Sequence, residues 1–318
     1  MIDLTRFRIA VLVPCYNEEL TIGDMVRDFQ AILPSARIYV FDNNSNDDTV
    51  RVARDAGAIV RHVLHQGKGN VIRRMFADVE ADVYVMLDGD NTYDASAAPQ
   101  LIARLVEDGL DMLVGSRVTD EQEAYRFGHR FGNQLLSRCV SGVFGRSFSD
   151  MLSGYRVFSR RYVKSFAAHS LGFETETELT VHALELRMPV AEVPTRYKSR
   201  PEGSVSKLNT YRDGMRIFLM ILRLVKSERP LIFFTVAFLL CSALSIALAV
   251  PLIETYLATG LVPRLPTAVL CAALALFGSI LLTCGIVLDA VTKARIELKR
   301  FAYLAEPAPG AVDATPAQ

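Results

Sequence analysis

Residues 9–18 read IAVLVPCYNE, five apolar residues followed by a proline and a more polar segment. A short, continuous apolar run of this kind is typical of a strand that is buried on both faces of a parallel sheet. Similar runs stand at residues 38–41 (IYVF), 83–87 (VYVML) and 112–114 (MLV), and residues 22–33 carry apolar side chains at helical spacing. The alternation predicts an α/β protein with a right-handed, doubly wound and mainly parallel sheet.

The overall composition excludes several classes of protein. The chain has 318 residues, enough for one large domain or two smaller units. Its 35 Lys and Arg balance 35 Asp and Glu, which argues against a nucleic-acid-binding protein. An apolar content of 51% excludes a disordered chain. Three of the five cysteines lie in long apolar runs, and Cys15 and Cys139 stand alone, so neither a disulfide framework nor a zinc site is predicted.

Two long segments near the C-terminus contain no charged residue, at 231–253 and 265–288. Each exceeds the roughly 20 residues that cross about 30 Å of hydrocarbon, which predicts two transmembrane helices. The residues flanking the pair are basic: Arg223, Lys226 and Arg229 before it, and Lys293, Arg295, Lys299 and Arg300 after it. The positive-inside rule therefore predicts a multi-pass protein of the cell (inner) membrane with its N-terminal domain in the cytoplasm.

These patterns divide the chain into four regions. Residues 1–207 form the cytoplasmic domain, and residues 208–229, where basic and apolar residues alternate, form an interfacial amphipathic helix or a helix that packs on that domain. The transmembrane hairpin occupies residues 230–290, and residues 291–318 form a basic helix and a disordered tail. Two spans per chain are few, which favours a homo-oligomer.

The candidate functional residues follow the predicted strands, because ligands of such sheets bind beyond the carboxyl ends of the strands. Asp88 and Asp90 follow an apolar strand and are separated only by Gly89. Two carboxylates in this position suit Mg²⁺ or Mn²⁺, and the alternative is a simple turn. Asp94 is a further acid or the cap of the next helix.

Residues 67–69 (GKG) offer a second candidate, a loop that places Lys68 near a nucleotide or a simple turn. They do not fit the P-loop pattern. They do not fit the dinucleotide-binding pattern either, because Ile72 occupies the position of the third glycine of that pattern.

Together these motifs resemble the family 2 glycosyltransferases of the GT-A fold. The motifs are PCYNE at 14–18, DNNSNDDT at 42–49, GKG at 67–69, DGD at 88–90 and GSR at 115–117. DMLSGYR at 150–156 resembles the family's DxxSG(F/Y)R segment, and residues 192–207 resemble the EVP…R…G.SK segment of the dolichyl- and polyprenyl-phosphate sugar synthases. Two residues depart from the family's pattern. Asn43 stands where the family often has a second acid, and Thr92 stands where the dolichyl-phosphate-mannose branch tends to have Gln. The absence of Trp excludes the QxxRW signature of processive polysaccharide synthases.

The resemblance implies an inverting transfer of a sugar from a nucleotide diphosphate donor to polyprenyl phosphate. A UDP-hexose or UDP-N-acetylhexosamine is favoured over GDP-mannose. Mg²⁺ or Mn²⁺ is expected on Asp88 and Asp90. The residues expected to bind the nucleotide sugar are Pro14, Tyr16, Glu18, Asp42, Lys68, Asp88, Gly89, Asp90, Arg200 and Lys207.

The expected acceptor is already an anion. A phosphate monoester has a second pKa of about 6, so its oxygen is largely ionised at neutral pH and needs no strong base. It needs instead cationic side chains that bind and position the phosphate. The residues expected to bind the acceptor phosphate are Arg117, Arg130 and Asn133. The residues expected to be catalytic are Asp90, Asp150, Arg117, Arg130 and Arg200.

Asp150 orients or activates the acceptor, or is a structural loop carboxylate. Glu174, Glu176 and Glu178 stand at a helix start, where acids are favoured, and are expected to be mostly structural. Two alternatives remain open. One is a transferase that acts on a lipid hydroxyl with Asp150 as its base, and the other is a non-catalytic subunit that binds nucleotide sugars.

Overall fold

The computed structural model describes residues 2–118, 148–167, 175–198, 222–223 and 225–310. The chain divides into two compact units, Met1–Gly214 with Leu298–Gln318, and Met215–Glu297.

The first unit is built on a seven-stranded sheet among its described residues. The strands are β1 (Ile9–Cys15), β2 (Arg37–Asp42), β3 (Ile59–His62), β4 (Val83–Met86), β5 (Met112–Val118), β6 (Arg156–Ser159) and β7 (Val190–Arg196). Their spatial order is β3-β2-β1-β4-β6-β5-β7. Strand β6 is antiparallel to both of its neighbours, and all the other pairs are parallel. The predicted α/β class with a mainly parallel sheet is therefore confirmed.

Helices cover both faces of this sheet. They are α1 (Ile22–Ile32), α2 (Thr49–Asp55), α3 (Lys68–Asp78), α4 (Ala98–Glu107), α5 (Arg160–Ser165) and α6 (Thr175–Glu185). On one face, Val11 of β1 belongs to a core cluster with Phe29 of α1 and Leu101 of α4. On the other face, Phe76 of α3 meets Phe158 of β6 edge to face, with ring centroids 5.6 Å apart. Burial on both faces explains why the strands are continuous apolar runs.

Strand direction brings the polar loops to one edge of the sheet. The carboxyl ends of β1, β2, β3, β4, β5 and β7 share that edge because these strands run in one direction. Strand β6 runs the opposite way, so its amino end lies there too. Residues 150–155, which lead into β6, consequently join the loops that follow the parallel strands.

The second unit contains two long helices, α7 (Pro230–Thr259) and most of α8 (Leu265–Leu304). Both are long and apolar enough to cross a membrane. They pack closely, since a Cβ on Gly285 would lie 2.8 Å from the Cβ of Phe234. Arg295 also donates from Nη2 to both carboxylate oxygens of Glu228, at 2.9 Å each.

The end of α8 belongs to the first unit from Leu298 onward. At 40 residues the helix is about 60 Å long, twice the thickness of the hydrocarbon core. Lys299 Nζ lies 2.7 Å from Glu185 Oε2, and the Tyr303 hydroxyl donates to Asp111 Oδ2 at 2.9 Å. Glu306, two residues beyond the end of α8, pairs with Arg160 at 2.7 Å.

Candidate functional site

The two acids of the DGD motif lie directly after β4, at the carboxyl edge of the sheet. Asp90 is 4% exposed, and its Oδ1 accepts hydrogen bonds from the hydroxyl of Thr92 at 2.6 Å and from its N–H at 3.3 Å. The Asp88 side chain is 32% exposed. Between them, the Gly89 carbonyl accepts a hydrogen bond from the Thr21 hydroxyl at 2.7 Å. Thr92, which departs from the family's pattern, therefore supports Asp90.

Gly89 also approaches the core, which leads to a prediction. A Cβ at this position would lie 2.8 Å from Cys15 Sγ and at ordinary contact distance from Ile22 and Val13. Gly89→Ala is therefore expected to lower the free energy of unfolding by about 1–3 kcal/mol through overpacking. Cys15→Ala removes the clashing sulfur, so the double variant should regain most of the loss. Thermal unfolding of the wild type, both single variants and the double variant measures this. Additive losses would contradict the assigned contact.

Asp88 is enclosed by the loop that leads into β6. A Cβ on Gly154 would lie 2.6 Å from Asp88 Oδ2, so only glycine fits here without moving that carboxylate. The Gly154 N–H donates to the Tyr93 hydroxyl at 2.8 Å, and Ser153 Oγ donates to the Gly115 carbonyl at 2.5 Å. The SG of the DMLSGYR segment thus packs directly on the DGD motif, a contact the sequence did not predict.

Lys68 reaches the same carboxylate from the first residue of α3. Its Nζ lies 2.6 Å from Asp88 Oδ1 and 2.5 Å from Oε1 of Glu176. Burial alone would lower the pKa of Lys68, but the carboxylates of Asp88 and Glu176 outweigh burial and hold this pKa well above its ordinary value. A position at a helix start predicts a mostly structural role for Glu176 and its neighbouring acids, yet the structure brings Glu176 to the Lys68 ammonium beside the DGD motif.

Asn43 anchors the loop that carries Lys68. Its side-chain amide donates to the carbonyls of Val63 at 3.1 Å and His65 at 2.9 Å, and its Oδ1 accepts the Gly67 N–H at 2.7 Å. The residue that departs from the family's acidic pattern therefore shapes the GKG loop.

Asp42 lies at the end of β2 and is 2% exposed. Its Oδ1 accepts the Ser45 N–H at 3.2 Å, and its Oδ2 lies 3.0 Å from Nδ1 of His62 at the end of β3. Asp42, a candidate for binding the nucleoside, is thus held in place by residues at the ends of two neighbouring strands.

The loop after β1 is tied to the loop after β2. Pro14 lies within β1, and Tyr16 and Glu18 follow the strand. The Glu18 N–H donates to Thr49 Oγ1 at 2.8 Å. These three candidate donor-binding residues therefore stand at the same edge as the DGD motif.

Arg117 and Asp150 form a forked ion pair across the site. Arg117 Nε lies 2.7 Å from Asp150 Oδ2, its Nη2 lies 2.7 Å from Oδ1, and its backbone N–H donates to Oδ2 at 3.1 Å. Burial alone would raise the pKa of Asp150, but the Arg117 guanidinium holds this pKa below its ordinary value. Glu192 of the EVP segment accepts the N–H groups of Ser149 and Asp150, which fixes the loop from the other side.

Arg156 supports this loop from beneath. It is completely buried and donates to the carbonyls of Ser153 at 3.0 Å and Met151 at 2.6 Å, and to Thr180 Oγ1 at 2.9 Å. The guanidinium therefore sets the course of the DMLSGYR segment.

The donor set fits a divalent cation bound partly by its substrate. Within the described parts of the chain, no group of three or more His, Cys, Asp or Glu residues is arranged to hold a metal ion. Asp88 and Asp90 are hard oxygen donors of the kind that Mg²⁺ and Mn²⁺ prefer, together with waters and substrate phosphates. The Lys68 ammonium already lies against Asp88, so positive charge is stabilised at that place. Arg130, Asn133, Arg200, Lys207 and residues 208–221 lie outside the described residues.

Comparison with known proteins relates this chain to sugar transferases. The family model for glycosyl transferase family 2 matches residues 10–166. Glycosyltransferase AglJ of Haloferax volcanii is 34% identical over 299 residues, covering 93% of this chain and 98% of that one. A dolichyl-phosphate hexose transferase of the same organism is 28% identical over 233 residues, covering 72% of this chain and 99% of that one.

Among solved structures, the fold resembles glucosyl-3-phosphoglycerate synthase from Mycobacterium tuberculosis, crystallised with Mn²⁺ and UDP-glucose. The TM-score is 0.56 at 20% identity, and the match covers 69% of this chain and 78% of that one. The likeness shows a shared fold.

Proposed function

Since the chain belongs to glycosyltransferase family 2, we propose that it transfers a sugar from a UDP-hexose or UDP-N-acetylhexosamine to polyprenyl phosphate. The transfer inverts the anomeric centre and yields a polyprenyl-phosphate-linked sugar. The proposal is supported by a relative that is a dolichyl-phosphate hexose transferase and by a solved neighbour crystallised with Mn²⁺ and UDP-glucose. GDP-mannose is the alternative donor.

The observation that carries the choice of acceptor is the ion pair between Arg117 and Asp150. Transfer to a hydroxyl uses a general base, and such a base is most effective when its pKa lies near the working pH. Asp150 has a lowered pKa, and both of its oxygens accept from Arg117, so it is a poor base. A phosphate acceptor is already ionised and needs no such base.

The described residues divide into a donor side and an acceptor side. On the donor side, Asp88 and Asp90 would hold Mg²⁺ or Mn²⁺, which offsets the negative charge of a departing diphosphate. Lys68 supplies a further positive charge near them. On the acceptor side, Arg117 seats the lipid phosphate. Arg130 and Asn133 are expected to complete that seat, and Arg200 and Lys207 to contact the diphosphate.

The two apolar helices suit a lipid substrate. We place them in the cell (inner) membrane, with the catalytic unit on the cytoplasmic side, because the segments that flank the helices are basic. The division into a catalytic domain at 1–207, an interfacial helix at 208–229 and a membrane hairpin at 230–290 remains part of this proposal, as does a homo-oligomer.

The test is an acceptor and donor screen with the purified full chain. UDP-glucose, UDP-N-acetylglucosamine and GDP-mannose, each radiolabelled in the sugar, are incubated with polyprenyl phosphate or with the matching polyprenol. Label should enter the organic phase with polyprenyl phosphate and a UDP-sugar. Equal labelling of polyprenol would support the hydroxyl-acceptor alternative, label only from GDP-mannose would correct the donor, and no labelling would favour the non-catalytic alternative.

The role of Asp150 is tested by Asp150→Asn. The wild-type carboxylate stays ionised from pH 5 to 8 because its pKa lies below the ordinary value, and it is protonated only in stronger acid. Its loss should loosen Arg117 and lower kcat/KM about tenfold, less than the 100- to 10,000-fold expected of a general base. A rise in rate near the acceptor's second pKa of about 6 should remain in the variant.

Ser149→Ala is the matched control for Asp150→Asn. It removes the Ser149 hydroxyl that donates to Glu192 at 3.2 Å but retains the backbone N–H that donates at 2.9 Å, and it should leave the rate nearly unchanged. If the rise in rate with pH disappears in Asp150→Asn alone, Asp150 is a base and the phosphate-acceptor proposal loses its support.

A further inference from the structure

The ammonium of Lys68 bridges two carboxylates that come from different parts of the fold. Asp88 follows β4, and Glu176 is the second residue of α6. The distances from Nζ are 2.6 Å to Asp88 Oδ1 and 2.5 Å to Glu176 Oε1, and the Lys68 side chain is only 13% exposed. A buried cation between two anionic partners is strongly bound. Lys68 therefore competes with a metal ion for the Asp88 oxygen that it contacts.

Glu176 retains an oxygen that the contact with Lys68 does not use. Its Oε2 is buried and has no hydrogen-bond partner among the described residues. The side chain is 6% exposed, so bulk water does not solvate that oxygen freely. Leaving such an atom without a partner is unfavourable, which indicates that Glu176 can take a larger share of the ammonium when Lys68 leaves Asp88.

A divalent cation on Asp88 would repel this ammonium, because two positive charges at hydrogen-bond distance from one carboxylate lie close together in a buried site. The cation must therefore push Lys68 away from Asp88. Glu176 is one anion that can receive the displaced ammonium, and the diphosphate of a bound donor is another.

We propose that Lys68 is a positioning residue that couples metal binding to donor binding: it guards Asp88 in the free enzyme and turns to Glu176 and the donor diphosphate when a divalent cation binds. This inference rests on the proposed nucleotide-sugar donor and not on the identity of the acceptor. Since coupling between two binding sites is reciprocal, UDP tightens metal binding by the same factor by which the metal tightens UDP binding.

The test measures Mn²⁺ binding to the full chain in detergent by electron paramagnetic resonance, with and without UDP and without turnover. In the wild type, UDP should tighten Mn²⁺ binding by a factor in the range of about 5–150. Lys68→Met should bind Mn²⁺ alone about tenfold more tightly than the wild type, because Asp88 is no longer guarded. Its UDP effect should be smaller but not absent, since the diphosphate also binds the metal directly.

Two further variants separate this role from a structural one. Lys68→Arg keeps the charge and should keep the coupling. Glu176→Gln leaves the ammonium on Asp88 and should weaken binding of Mn²⁺ alone, the opposite sign from Lys68→Met. A merely structural role would weaken binding in both variants.

The inference is overturned if Lys68→Met binds Mn²⁺ alone no more tightly than the wild type, or if Glu176→Gln binds it more tightly. A wild-type chain that binds no Mn²⁺ even with UDP would contradict the metal-dependent function itself, and this inference with it. A wrong acceptor shows only in the labelling experiment and leaves the Mn²⁺ titrations unchanged.

Discussion

Asp90→Asn is expected to lower kcat/KM for sugar transfer by about 100- to 1000-fold, because the proposed mechanism needs the Asp90 charge to hold a divalent cation beside the leaving diphosphate. The substitution is nearly isosteric. The amide oxygen can still accept the hydrogen bond that the Thr92 hydroxyl donates at 2.6 Å, so the loop should keep its shape. Initial rates at saturating acceptor, over a range of donor and Mn²⁺ concentrations, measure the loss.

Asp94→Asn is the matched control for this variant. Asp94 lies four residues further along the same loop, and its Oδ1 accepts the N–H of Ser96 at 3.0 Å as the cap of a short helix. An asparagine caps equally well, so the rate should change less than twofold. Full turnover of Asp90→Asn, or of chelator-treated wild type, would refute the metal-dependent mechanism.

The sheet and the edge that carries the candidate site could be predicted because they depend on local patterns. Continuous apolar runs identify buried parallel strands, and ligands of such sheets bind beyond the carboxyl ends of the strands. Asp42, Asp88 and Asp90 could therefore be selected as candidates for one site from their positions alone. The family and the fold follow from the same ordered motifs, and both are confirmed.

The contacts within the site could not be predicted, because they join residues distant in sequence. Arg117 and Asp150 are 33 residues apart and meet only because antiparallel β6 is inserted between β4 and β5. The periodicity of apolar residues does not indicate the direction of a strand, so the sequence does not predict that β6 runs antiparallel to its neighbours.

Glu176 shows the limit of a local rule. Acids at a helix start are favoured by the helix dipole, and this rule alone predicts a structural role. The contact with Lys68 depends on how α6 packs against the sheet edge, and a burial pattern that includes Thr175, Glu176 and Thr177 gives no hydrophobic stripe from which to infer that packing.

Gly154→Ala is expected to lower kcat/KM about 100-fold while leaving the fold intact. The new Cβ would meet Asp88 Oδ2 at 2.6 Å and the Tyr93 hydroxyl at 3.3 Å, and the more exposed of these side chains is Asp88. The carboxylate should therefore move, and a displacement of about 1 Å at a reacting centre can cost 100-fold in rate. Thermal unfolding should change little, because the end of a side chain yields and the backbone does not.

A double-mutant cycle with Asp88→Asn decides whether the effect of Gly154→Ala passes through Asp88. If it does, the double variant should be no slower than Asp88→Asn alone, since residues that act through one another are not additive. Multiplied losses would show instead that Gly154→Ala distorts the DMLSGYR segment independently. The DGD motif and that segment would then be two separate requirements of the site. A non-additive result would instead show that Gly154 positions the Asp88 carboxylate by packing against it.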